Sequence, residues 1–132
     1  MDVVVDSSVV IAVIVNESVK ETLVELTTGA DLIAPHSVHW EIGNALSAML
    51  KRGRITIQQA VRAVQVYREI PLRYVDVELE ETLAIADAQG VYAYDAYLIR
   101  CAIKYKAPLI SLDRRLVAAA KEAGAQVKEV AV

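Results

Sequence analysis

Residues 1–10 read MDVVVDSSVV and residues 107–113 read APLISLD. Each holds a short apolar run followed by an aspartate, Asp6 in the first and Asp113 in the second. A strand with one face in water alternates apolar and polar side chains, whereas runs that stay apolar, as over 2–6 and 108–112, suit a parallel sheet covered on both faces. Two further β-prone runs, 32–34 and 72–77, supply the other expected strands.

Between these runs the apolar period changes to that of a helix. Ser37 is expected to cap a helix over 37–52, in which Val38, Ile42, Ala45 and Met49 give one apolar face and Gly53 marks the end. Thr56 starts the next, with Ala60, Val64 and Tyr67 inward and Pro71 beyond its stop. These two read as a helical hairpin. Further helices are expected over 18–28, 79–89, 95–106 and 115–123, and Gly29, Gly90 and Gly124 follow three of them. The tail, 126–132, is expected to add an edge strand. Helices that separate successive apolar strands imply right-handed crossovers. The expected fold class is therefore α/β, a three-layer sandwich whose central, mostly parallel sheet is flanked by helices.

The 132 residues fit one domain, 1–132, with a single substantial core. Although 55% of the chain is hydrophobic, charges interrupt every stretch before the roughly 18 residues of a membrane span. The N-terminus lacks a basic segment followed by a long apolar one, so export is not expected and a cytoplasmic location is. Cys101, the sole cysteine, lies in an apolar segment and excludes an internal disulfide or a thiolate zinc site. A net charge of -3 argues against broad electrostatic attraction for nucleic acid, so any such contact is local.

Binding sites in open parallel sheets form outside the carboxyl ends of the strands. Asp6 ends the first strand, Asp113 follows the last, and Asp95 opens the helix that feeds the last. Glu41 lies in the first turns of the 37–52 helix, and Asn44, three residues on, shares its face. Each has an ordinary explanation: Asp95 as an N-cap, Glu41 as a carboxylate favoured near a helix N-terminus, Asp113 as a turn residue. Asp6 fits such an explanation least, since an acid after three valines needs a partner or water. By position alone the acids do not specify a reaction.

Over nearly its whole length the sequence resembles the PIN-domain ribonucleases, in VVVDSSVV, EIGNAL, YDAYLIRCA and APLISLD. The ordered set Asp6, Glu41, Asp95 and Asp113, with Ser111 two residues before the last, is similar to the four-acid pattern of that family. The compact size and the EIGNAL element resemble the VapC toxins most closely. Departures are Leu98, where such sequences often carry tyrosine, and the large Arg100.

The resemblance implies a metal-dependent endoribonuclease, the toxin of a VapBC-type toxin-antitoxin pair. Hard oxygen ligands suit Mg2+ or Mn2+. Asp6 and Asp95 are the expected direct ligands, Glu41 and Asp113 act through waters or hold a second ion, and Ser7, Ser8, Asn44 and Ser111 support them by hydrogen bonds. The implied products carry a 5′-phosphate and a 3′-hydroxyl. The implied partners are an RNA substrate, an antitoxin that blocks the acidic pocket, and a second copy of the chain in a homodimer.

Other signals read as structural. His36 and His39 lack further zinc ligands nearby. Lys51, Arg52 and Arg54 suit a helix C-terminus, and Arg114 and Arg115 are treated alike. Trp40 is placed in core packing or a subunit contact ahead of base stacking. Two other nucleic-acid readings stay open, an RNA-processing nuclease outside any toxin-antitoxin pair and a PIN-like module that binds without cutting. A phosphorylation-controlled receiver domain shares the length and the acidic pocket. It requires paired acids after strand one and a lysine after the last strand, whereas Asp6 is followed by serines and Asp113 by arginines.

Overall fold

The computed structural model describes residues 1–131. Its elements run β1 (Asp2–Val5), α1 (Ser7–Ile14), α2 (Lys20–Thr27), β2 (Asp31–Pro35), α3 (Ser37–Lys51), α4 (Ile57–Glu69), β3 (Leu72–Val75), α5 (Leu79–Gln89), α6 (Ala93–Lys104), β4 (Leu109–Ile110) and α7 (Arg114–Glu122). The four strands form one sheet in the order β3-β2-β1-β4, and every pairing is parallel. Val4 sits opposite Ile33 on one side and Leu109 on the other, so β1 is central and its three valines are all buried.

The order of the strands places the site. From β1 the chain steps to β2 and then β3 in one direction, and β4 then returns to the opposite side of β1. Right-handed crossovers on those two courses put the connecting helices on opposite faces. Helix α1 packs against α2, α3 and α4, while α6 packs against α5, α7 and strands β1, β2 and β4. The expected three layers are therefore present. A reversal of this kind opens a crevice between β1 and β4 at their carboxyl ends.

Helix α1 departs from the sequence reading, which placed no helix there. Its residues SSVVIAVI are β-branched and apolar, yet they form two turns in which Val9, Val10, Ile11, Ala12 and Ile14 are buried. Burial on nearly all sides outweighs the small helix penalty of β-branching. Asp6, expected as the last residue of the strand, lies one residue beyond it as the N-cap of this helix and accepts the Val9 N–H at 3.2 Å.

Other boundaries shift by a few residues. The expected caps Ser37 and Asp95 lie inside their helices, whose N-caps are His36 and Tyr92, neither with a side-chain capping bond. Thr56 does cap α4, in a reciprocal capping box with Gln59. Gly90 ends α5 at φ +63°, a conformation that costs a residue with a Cβ. The expected tail strand reduces to a single bridge, Leu109 to Val127, and Val132 of that tail lies outside the described residues. Cys101 is fully buried, and burial pushes its thiol up to about 12. Leu98 is buried in the core and Arg100 turns outward to pair with Glu78 at 3.0 Å, so the fold accommodates both departures.

Candidate active site

All four acids stand at or near helix N-termini. Asp6 caps α1, Asp113 caps α7, Asp95 lies in the first turn of α6, and Glu41 follows one turn into α3. Asp6 and Asp113 flank the crevice between β1 and β4, because each directly follows the strand on its side. The partial positive charge of a helix N-terminus favours an anion there, which helps these positions tolerate like charges.

Asp6 is the centre of the arrangement and only 4% exposed. Its Oδ1 accepts the Ser8 hydroxyl at 2.6 Å as well as the Val9 amide, and its Oδ2 accepts the Ser111 hydroxyl at 2.6 Å. The serines are held in turn: Ser8 Oγ accepts the Leu112 N–H at 3.0 Å, and Ser111 Oγ accepts the Asp113 N–H at 2.9 Å. The network ties the β1–α1 junction to the β4–α7 junction and fixes the Asp6 carboxylate in place. Asp113 uses Oδ1 for the Arg115 and Leu116 amides, at 3.0 and 3.2 Å. Among the described residues Ser7 takes no part in this network, and the Asn44 side chain is exposed and makes no bond to the acids.

The acids act on one another electrically. Burial raises Asp6 above the usual carboxylate range, against the pull of its hydrogen bonds, and Asp113 adds to the rise. Burial, then Asp6, then Asp95 push Glu41 up to about 7. Burial and Asp113 likewise raise Asp95, while the Arg115 guanidinium draws it down. Arg115 is thus a cation beside the acids that the sequence reading did not separate from Arg114. Glu41 Oε2 is also buried without a hydrogen-bond partner. A buried carboxylate oxygen left so is costly unless it is protonated or meets a cation.

These residues fit a divalent ion of the hard class. Among the described residues no three His, Cys, Asp or Glu side chains gather closely enough to enclose one. Mg2+ and similar ions do not need such a cage, since they keep several waters and take one or two carboxylates directly. The histidines stand apart from the acids. His36 Nε2 lies 3.0 Å from Asp76 Oδ1 and its ring stacks on Tyr74, and His39 Nδ1 lies 2.8 Å from the Tyr67 hydroxyl.

Residues 3–122 match the family model of the PIN domain. The chain belongs to the PIN domain family. No curated protein matches it significantly. A solved structure described as PAE2754 from Pyrobaculum aerophilum is similar at 24% identity, with a TM-score of 0.70 over 90% of this chain and 87% of the other, a likeness of fold. PIN domains are generally nucleases, which gives this chain a nuclease character.

The charge balance of this PIN domain predicts its pH behaviour without metal. Glu41 binds its proton more tightly when folded, with a value near 7 against an ordinary 4.5, so the unfolded state binds fewer protons between those limits. Stability must then fall as pH rises through that window, and Asp6 and Asp95, also raised, act in the same sense. In EDTA, the Tm of wild type relative to Glu41→Gln is expected to drop between pH 4.5 and 7 and to level off above. A Tm difference that grows in favour of wild type across the same interval would contradict the placement of Glu41.

Proposed function

We propose that this chain is a Mg2+- or Mn2+-dependent endoribonuclease and the toxin of a VapBC-type toxin-antitoxin pair, working in the cytoplasm as one PIN-like domain over 1–132. The observation that supports it most is Glu41, a carboxylate raised to about 7 by burial and by Asp6 and Asp95, with one oxygen buried and partnerless. A site that holds like charges at such cost is arranged for a cation. Asp6 and Asp95 are the direct ligands in this reading. Glu41 and Asp113 would act through waters or hold a second ion, and Glu41 is suited to take a proton from water at the site.

When bound, the ion supplies neutralisation of the phosphate charge and a more acidic water. The chain contributes orientation. Ser8 and Ser111 hold both oxygens of Asp6, and through Ser111 Oγ they fix the Asp113 backbone as well. Hydrogen-bonding partners of this kind lock carboxylate ligands before substrate arrives. Ser7 and Asn44, being outside the network, are left with a role toward substrate or solvent.

The test is incubation of the purified chain with single-stranded RNA in Mn2+ and in EDTA. Internal cleavage that leaves 5′-phosphate and 3′-hydroxyl ends, and that stops in EDTA, is expected. Intact RNA under all divalent ions, or cleavage indifferent to EDTA, overturns the reading. The toxin role and the two partners, an antitoxin and a second copy, rest on the VapC resemblance. Exposed apolar side chains Ile57 and Val61 on α4 and Leu79 and Leu83 on α5 are in keeping with such partners. An RNA-processing nuclease would share the site but would not arrest growth when expressed without the product of an adjacent upstream reading frame.

A further inference from the structure

A groove of about 340 Å³ is lined among others by His36, Ser37, Trp40, Asp76, Tyr94 and Tyr97. Trp40 directly precedes Glu41 and Tyr94 directly precedes Asp95, so the groove lies along the N-terminal turns of α3 and α6, the helix ends that also carry two of the acids. Trp40 is 71% and Tyr94 56% exposed, which leaves two aromatic rings uncovered where the sequence favoured packing or a subunit contact for the tryptophan. Tyr94 meets Tyr97 edge to face, with centroids 6.3 Å apart. Ser37, one helical turn before Glu41, has a buried hydroxyl with no hydrogen-bond partner.

The groove has no lysine or arginine in its lining, and its one histidine, His36, already faces the Asp76 carboxylate at 3.0 Å. A phosphate is therefore disfavoured inside it. What suits it is the neutral part of a nucleotide, a flat ring with polar edges. Its volume is at the lower end of the range for small-ligand sites, enough for one nucleoside and too small for a helix of another protein.

We propose that this groove is a nucleobase subsite in which a base next to the scissile phosphate stacks against Trp40 and Tyr94 and hydrogen-bonds through its edge to Ser37. This inference rests on the ribonuclease reading above and adds to it a requirement for an unpaired base beside the cut. Base stacking on aromatic side chains tolerates any sequence and is worth roughly 5- to 150-fold in affinity per base. A duplex cannot enter, because its bases are already stacked on each other. The subsite thus selects single-stranded RNA.

Trp40 is the only tryptophan, so its emission reports on the groove directly. In EDTA, where no cutting is expected, the full chain is titrated with short oligoadenylate and with an abasic strand of the same length. Quenching by oligoadenylate but not by the abasic strand is expected. By anisotropy of the labelled strand, Trp40→Ala and Tyr94→Ala should each lose roughly 5- to 150-fold in affinity, with most of it restored in Trp40→Phe and Tyr94→Phe. Equal quenching by both strands, no quenching, or undiminished affinity in both alanine variants overturns the subsite. Trp40→Ala that binds oligoadenylate like wild type but no longer self-associates would assign the groove to a second copy instead. Binding in EDTA is independent of cleavage, so a chain that stacks bases without cutting fails only the nuclease reading. One that cuts without base-dependent quenching fails only this one.

Discussion

Asp6→Asn should reduce RNA cleavage in Mn2+ by on the order of a hundredfold at the least while leaving the protein folded. Loss of a group that merely orients a metal ligand already costs about 10- to 100-fold, and Asp6 is proposed as a ligand itself. The substitution keeps the volume of a side chain that is 4% exposed. Its amide oxygen can still accept from Ser8 and Val9, and its NH2 group can donate to Ser111 Oγ once that hydroxyl rotates. What is lost is the charge. Asp95→Asn is expected to behave alike, whereas Asp31→Asn, a surface acid beside the N-terminus at the other end of β2, should leave the rate unchanged. A folded Asp6→Asn protein that cleaves at the wild-type rate would remove Asp6 from the site.

The sequence carried the sheet well because buried parallel strands are apolar on both faces, and VVV and LI show it without alternation. Helix α1 was hidden for the same reason. SSVVIAVI buries five of its eight residues and has no polar face, so its composition matched a strand and its helical period had nothing to stand against. Only the fold around it, with the Asp6 cap, makes it a helix. Strand order is a long-range property: the pairing of β1 with β4 joins Val4 to Leu109, and no local signal encodes it.

The candidate site was legible as a list of acids and illegible as a set of environments. Asp6, Asp95 and Asp113 stood at element ends that composition could locate to within a few residues. That Ser8 and Ser111 each grip a different oxygen of Asp6 depends on the β1–β4 contact, so only one of the two partners lies near it in sequence. The raised value of Glu41 arises from burial and from acids 35 and 54 positions away, Asp6 and Asp95, and neither cause has a local sequence signature. Asn44 was grouped with Glu41 on helical spacing. Spacing three apart still rotates a side chain away from its neighbour, and here Glu41 is half-buried while Asn44 faces water.

The second large effect concerns stability. With no metal, the folded protein holds three carboxylates, on Asp6, Glu41 and Asp95, whose ionised forms burial disfavours. At Asp6 burial is the larger influence and its hydrogen bonds the smaller, so removing the charge relieves more than it costs. Metal reverses the balance. An ion that binds only the folded chain stabilises it by about 2.7 kcal/mol at a hundred times Kd. For a chain of this size that corresponds to a rise in Tm of about 10 °C. The two proteins should therefore exchange rank as metal is added.

Calorimetry of wild type and Asp6→Asn across a Mn2+ titration, near neutral pH and with EDTA as the zero point, tests the four-acid site most directly because it needs no knowledge of the substrate. The account predicts that Asp6→Asn melts at or above wild type in EDTA, gains little from Mn2+, and is overtaken as wild type climbs. An Asp6→Asn protein that is destabilised in EDTA yet shows an undiminished Mn2+ shift would contradict it, because Asp6 would then be a structural cap with no part in holding metal.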